Sequence, residues 1–183
     1  SSPTETFLPL NTFEEVLEHL KNKCILNLDR SIKILDDVMK IVNKHNMADQ
    51  VLLKSDPSDA SLKMVETFAP KVDYMPIFME EDVASEKIEN MNINYIGAEL
   101  VFKSESSSIA QDSYIDMMHK KGRILWGNSI VYSSRVPLAA GHNDDISLTG
   151  DPEDGWGWLA KKGFDIIQTD WTHHCVNYLR NRY

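Results

Sequence analysis

The chain has little cysteine, little glycine, no surplus of basic charge and no long apolar run, and each shortage removes a class of protein. Two cysteines in 183 residues, Cys24 and Cys175, cannot build a disulfide framework, and they show no metal-ligand spacing; buried free thiols are the expectation. The eight glycines include no glycine-rich phosphate loop after a strand, which counts against a flavodoxin-like nucleotide site. Nineteen basic residues against 28 acidic ones give a net charge of −9, the opposite of the concentrated basic face that nucleic-acid binding needs. An acidic protein that handles an anionic ligand then needs a local cation, either a metal or a well-placed Lys or Arg. No apolar stretch approaches the ~20 residues of a membrane span, and no signal peptide is visible. Ser1-Ser2-Pro3-Thr4 has neither an initiating methionine nor a charged flank, so a preceding segment is expected, and a removed leader within it would make export plausible.

What is present reads as one globular domain, residues 1–183. The composition is 42% hydrophobic and 26% charged, and a chain of this length buries about 70% of its unfolded surface. Strand and helix signals alternate. Thr12-Phe13-Glu14-Glu15 is a capping box before an apolar helical stripe of Phe13, Val16, Leu17 and Leu20. Short apolar runs at Ile25–Asp29, Gln50–Lys54, Val72–Met79, Tyr95–Phe102, Arg123–Trp126 and Phe164–Thr169 predict six strands. Between them lie amphipathic stretches, one carrying Ile32, Leu35, Val38, Met39 and Val42 and closed by Asn46, another opened by Asp56-Pro57-Ser58. Gly163 stops the last helix before the final strand as a left-handed residue. The segment 133–150, rich in Gly, Asn and Asp, is the longest loop candidate.

Repeated strand-helix units imply a parallel α/β sheet with right-handed crossovers. Six strands suit an open parallel sheet, whereas a TIM-type (β/α) barrel has eight strands in ~250 residues. Periodicity by itself favours the open sheet. In either fold, residues at the carboxyl ends of strands converge on one face, where active sites are built. Asp29, Lys54, Asn128 and Asp170 all fall there. Asp29 is a hard oxygen ligand suited to Mg²⁺ or Ca²⁺. Lys54 is a point cation that can meet a phosphate oxygen. Glu99 lies inside a strand and requires a partner if it points inward. Gly141-His142-Asn143-Asp144-Asp145 has the residue types of a metal cluster without the EF-hand spacing, and a loop-ordering role is the better reading.

Several motifs resemble the glycerophosphodiester phosphodiesterase family. Gly163-Phe164-Asp165-Ile166-Ile167-Gln168-Thr169-Asp170, with Tyr178-Leu179 downstream, is similar to its closing strand and helix. Leu10-Asn11-Thr12-Phe13-Glu14-Glu15-Val16-Leu17 followed by Asp29 resembles its mid-barrel helix and metal-binding acid, with Asp in place of the commoner Glu. Trp126-Gly127-Asn128-Ser129 resembles a late strand in which Trp precedes an Asn. Ser31 stands where the family often has a phosphate-contacting Lys.

The resemblance covers the whole chain but matches only the later part of the family's barrel. It implies a barrel lacking its first strands and a metal-dependent hydrolase that cuts glycerophosphodiesters into glycerol 3-phosphate and an alcohol. Asp29 would hold the metal, and Lys54, Trp126, Asn128 and Asp170 would bind substrate. The family's His-Arg-Gly and His-Asp motifs are missing; none of His19, His45, His119, His142, His173 and His174 supplies them, so this chain has no catalytic residue of its own on this reading. The alternative is a catalytically inactive barrel that binds a small phosphodiester. Six barrel strands leave two unpaired edges, which a preceding segment or a homodimer would cover.

Overall fold

Right-handed crossovers between parallel strands place each helix on the same side of the sheet when the strands advance in one direction, and the strands of this chain advance in that way. The computed structural model describes residues 10–133 and 136–182; the expectation for Ser1–Thr4 lies outside them. The strands are β1 (Leu26–Leu28), β2 (Val51–Ser55), β3 (Asp73–Met79), β4 (Gly97–Val101), β5 (Ile124–Asn128) and β6 (Ile166–Gln168). All five pairings are parallel, and the spatial order is the chain order. A doubly wound sheet would reverse its order once; this one does not. The result is six parallel strands curled into a half-barrel, with helices packed against one face. Among the described residues β1 and β6 each have a single neighbour.

The helices are α1 (Phe13–Leu20), α2 (Leu35–Lys44), α3 (Asp59–Phe68), α4 (Ser85–Glu89), α5 (Asp112–Lys120), α6 (Asp144–Thr149), α7 (Trp156–Lys162) and α8 (Thr172–Arg182). Their ends follow local chemistry. The expected capping box closes α1: Thr12 Oγ1 accepts from the Glu15 amide, and the Glu15 carboxylate accepts from the Thr12 amide at 2.7 Å. Asn46, at φ +53°, ends the α2 region, and Gly163, at φ +102°, ends α7 as a left-handed cap. The expected loop 133–150 is corrected in part, because its last third is α6, capped by Asn143 Oδ1 accepting from the Ile146 amide at 3.0 Å. A helix of six residues is too short to show a period in sequence. Cys24 is exposed rather than buried; Cys175 is buried as expected.

Strand alternation separates two faces. Val51, Leu53, Tyr74, Phe78, Ala98, Leu100, Leu125 and Ile167 join the core under the helices. The residues between them, including Lys54, Met75, Ile77, Glu99, Trp126, Asn128 and Gln168, therefore point to the concave face. Register sets Ile77, Glu99, Trp126 and Ile166 side by side across four strands.

That row depends on close approach at the start of β4. A Cβ on Gly97 would lie 1.9 Å from the Ile124 carbonyl oxygen, an overlap with rigid backbone. Gly97→Ala is predicted to cost about 1–3 kcal/mol, seen as a lower urea midpoint with an unchanged slope. An unchanged midpoint would show that β4 and β5 can part there without cost.

Candidate functional site

The concave face is organised around Glu99, in the middle of β4, which is 7% exposed. A carboxylate so buried needs compensation, and it has two donors. Lys54 Nζ donates to Oε2 at 2.6 Å, and Asn128 Nδ2 donates to Oε1 at 2.8 Å. Lys54 is itself 5% exposed, and its ammonium lies 3.7 Å from the ring centroid of Trp126. Trp126 in turn donates its indole N–H to Gln168 Oε1 at 3.1 Å. Thus β2, β4, β5 and β6 are joined by one polar chain across the sheet. Lys54 is not the solvated strand-end cation that a polar residue after an apolar run commonly is. Its charge is already met by Glu99.

At the carboxyl end of β1 and β2 a cavity of about 530 Å³ opens, bordered by Asp29, Lys54, Ser55, Asp56 and Ile77. Asp29 is exposed there, with Arg30 Nε at 3.6 Å and no hydrogen-bond donor on it among the described residues. Asp56 is committed elsewhere: its carboxylate accepts from the Ser58 amide and from Ser61 Oγ, each at 3.0 Å, at the start of α3. The hydrogen bond from Ser58 holds its carboxyl below the usual range. Asp29 is therefore the carboxylate in this cavity available to a ligand. Four of the five residues expected from sequence lie together, Asp29 and Lys54 sharing the cavity, Trp126 touching Lys54, and Asn128 touching Glu99.

Asp170 stands apart. It is exposed just past β6, and its backbone N–H donates to Asp144 Oδ2 at 2.9 Å. Asp144 is 2% exposed, and its Oδ1 accepts from Ser129 Oγ, Trp156 Nε1 and Thr169 Oγ1, each at 2.7 Å. Four donors solvate one buried carboxylate, so it acts as a knot tying the ends of β5 and β6 to the start of α7. This agrees with the loop-ordering role expected of the Gly141–Asp145 stretch. His142 is likewise committed: it stacks on Trp158 with centroids 3.8 Å apart, and its ring nitrogens face the Asp154 carbonyl at 2.5 Å and Glu105 at 3.1 Å. Sequence reasoning gave no role to Gln168 or Ser129, although both lie inside the quoted motifs, because nothing in the residue type shows which partner across the sheet they meet. The Lys54–Glu99 pairing had one available signal: both are charged residues inside apolar strands, at positions that alternate to the same face.

Two measurements test this arrangement. Glu99→Ala leaves a buried ammonium without its counterion and should cost about 3–5 kcal/mol, whereas Lys54→Met with Glu99→Leu should cost far less. Equal losses in denaturant titration would show that the charges do not need one another. Burial, and secondarily the nearby Asp144 charge, pushes the Cys175 thiol from its ordinary value near 9 up to about 11. At pH 8 a disulfide reagent should react rapidly with Cys24 alone. Because the folded value is the higher one, the contribution of this thiol to stability is complete below about pH 9 and declines as pH rises towards about 11. Rapid titration of two thiols in the native protein would contradict the burial of Cys175.

Residues 74–179 match the model of the DUF4996 family, described as a domain of unknown function. None of the curated proteins matches the chain. Among solved structures, the crystal structure of a candidate glycerophosphodiester phosphodiesterase from Galdieria sulphuraria is similar, with a TM-score of 0.65 and 15% sequence identity over 92% of this chain and 62% of that one. At that identity the likeness is one of fold, and the chain spans less than two thirds of that protein's length. Asp29 and Lys54 fall before the family match, while Glu99, Trp126, Asn128, Asp144 and Asp170 fall within it. The match runs from β3 into α8 and covers more than half of the sequence: the chain belongs to the DUF4996 family.

Proposed function

We propose that this chain is the later part of a barrel that hydrolyses glycerophosphodiesters to glycerol 3-phosphate and an alcohol, with Mg²⁺ or Ca²⁺ as cofactor. The observation that carries the reading is the cavity at the carboxyl ends of β1 and β2, where the available Asp29 carboxylate and the Lys54 side chain border the same space. The fold likeness to a candidate enzyme of that class supports it.

Physical chemistry limits what each residue does. Mg²⁺ is commonly held by one or two carboxylates together with water and substrate phosphate oxygens. Asp29 fits as one such ligand, and the described residues of the cavity offer no second free carboxylate, so the ion would be held firmly only with a phosphate present. When bound, the ion would supply positive charge to the phosphoryl oxygens. Lys54 spends one N–H on Glu99 and can direct another at a phosphate oxygen. Trp126 and Asn128, beside Lys54 and Glu99 on the concave face, would flank the substrate beyond the cavity, and Asp170, past the end of β6, would stand at the far rim of that face. Hydrolysis adds water to phosphorus, breaks the bond to the leaving alcohol and returns a proton to that alcohol's oxygen.

The second reading, a barrel that binds a phosphodiester without cutting it, is favoured by one observation. None of the described histidines borders the cavity: His19 lies on α1, His45 meets Glu14, His119 meets Asp165, His142 stacks on Trp158, and His173 and His174 lie on α8. Proton transfer needs a group at hydrogen-bond distance.

Hydrolysis of glycerophosphoglycerol with Mg²⁺ by the full-length protein separates the two. The enzymatic reading expects turnover, and Asp29→Ala, at an exposed position that should leave folding intact, is expected to reduce it by more than about 100-fold, since losing a group that merely orients a metal ligand already costs 10–100-fold. Full activity in Asp29→Ala would refute the metal assignment. Binding of the diester without turnover, with or without the ion, would establish the second reading.

A further inference from the structure

The placement of Lys54 against Trp126 bears on which alcohol the concave face accepts. Recognition of a quaternary ammonium such as choline uses aromatic faces that attract the cation, commonly with an acidic neighbour. Among the described inward-facing strand residues, Trp126 is the aromatic one and Glu99 is the buried acid. Both are already used within the protein. Lys54 Nζ lies 3.7 Å from the Trp126 ring centroid, and the two Glu99 oxygens are taken by Lys54 and Asn128. The pair is nine-tenths buried, with side-chain exposures of 4% for Lys54 and 10% for Glu99, so solvent does little to screen the internal cation. A trimethylammonium group brought to this wall would meet an ammonium where it needs a bare ring. Asn128 is buried and held by Glu99, but the half-buried side-chain amide of Gln168, beside Trp126, suits hydroxyl groups instead.

We propose that Lys54 is a specificity residue: by lying on Trp126 and occupying Glu99, it closes the concave face to choline-type phosphodiesters and leaves it open to diesters of uncharged, hydroxyl-bearing alcohols. The inference rests on the reading that this face holds the ligand, but not on turnover.

The test compares the binding of glycerophosphoglycerol and glycerophosphocholine by calorimetry, in the wild-type protein and in Lys54→Met with Glu99→Gln. The double substitution frees the ring without stranding a buried carboxylate, because the new side-chain amide would keep an acceptor for Asn128, and its fold is checked by its thermal midpoint. Wild-type protein should favour the glycerol ester by about tenfold or more, and the double variant should lose or reverse that preference. A wild-type preference for the choline ester, or the same ratio in both proteins, overturns the proposal. Should neither ester bind, the reading of the function fails, and the inference is then decided by tetramethylammonium alone. That ion should shift the Trp126 indole N–H resonance, identified with Trp126→Phe, in the double variant but not in wild type. An equal shift in the two proteins would overturn the inference.

Discussion

A parallel sheet that advances in one direction can cover only one of its faces with its own crossovers. That constraint shapes this chain. Right-handed connections send every helix to the same side, so one face of the sheet is packed with Val51, Leu53, Tyr74, Phe78 and Leu100, and the other is left to the side chains of the strands themselves. The two faces obey different chemistry as a result. Under the helices the inward residues are apolar and close-packed. On the concave side the same strands carry a lysine, a glutamate, an asparagine and a tryptophan at adjoining register positions.

Placing charge on the second face is tolerable only because it is organised. Glu99 without Lys54 would be a buried anion facing apolar neighbours, and Lys54 without Glu99 a buried cation over an aromatic ring. Together, with Asn128 taking the remaining oxygen, they satisfy one another. Asp144 solves the same problem without any cation in its described contacts, through four hydrogen-bond donors drawn from β5, β6 and α7. The two solutions differ in consequence. The first leaves a polar surface at the mouth of a cavity, whereas the second is sealed and holds the ends of the last strands in register.

Much of this is legible in the sequence. All six strands are visible as short apolar runs, since the residues under the helices are hydrophobic in each and β2 and β4 are buried throughout. The caps at Thr12 and Gly163 are visible because cap chemistry is local. Periodicity and strand count favour an open sheet, because curvature and strand order are set by crossovers that leave no mark on any one strand; only resemblance points to the barrel. The convergence of Asp29, Lys54 and Asn128 follows from their places at strand ends. Asp170 has the same kind of address and a different situation, because its neighbourhood is decided by Asp144, 26 residues earlier. The short helix α6 escapes notice for lack of length, and the exposure of Cys24 is illegible because a thiol carries no sign of which side of a turn it occupies.

The contact between Lys54 and Glu99 joins strands that are not neighbours. It passes over β3, across Met75 and Ile77, and climbs two residues in register, so its ends are rooted roughly 11–12 Å apart on a flat sheet. Bending the sheet brings inward side chains together, and flattening it draws them apart. The ion pair thus works as a gauge of curvature. A ligand that spread the half-barrel would have to separate two buried charges to do so, and a ligand that tightened it would not. Electrostatics here gives the concave surface a preferred radius, and the shape of anything held on it must answer to that radius.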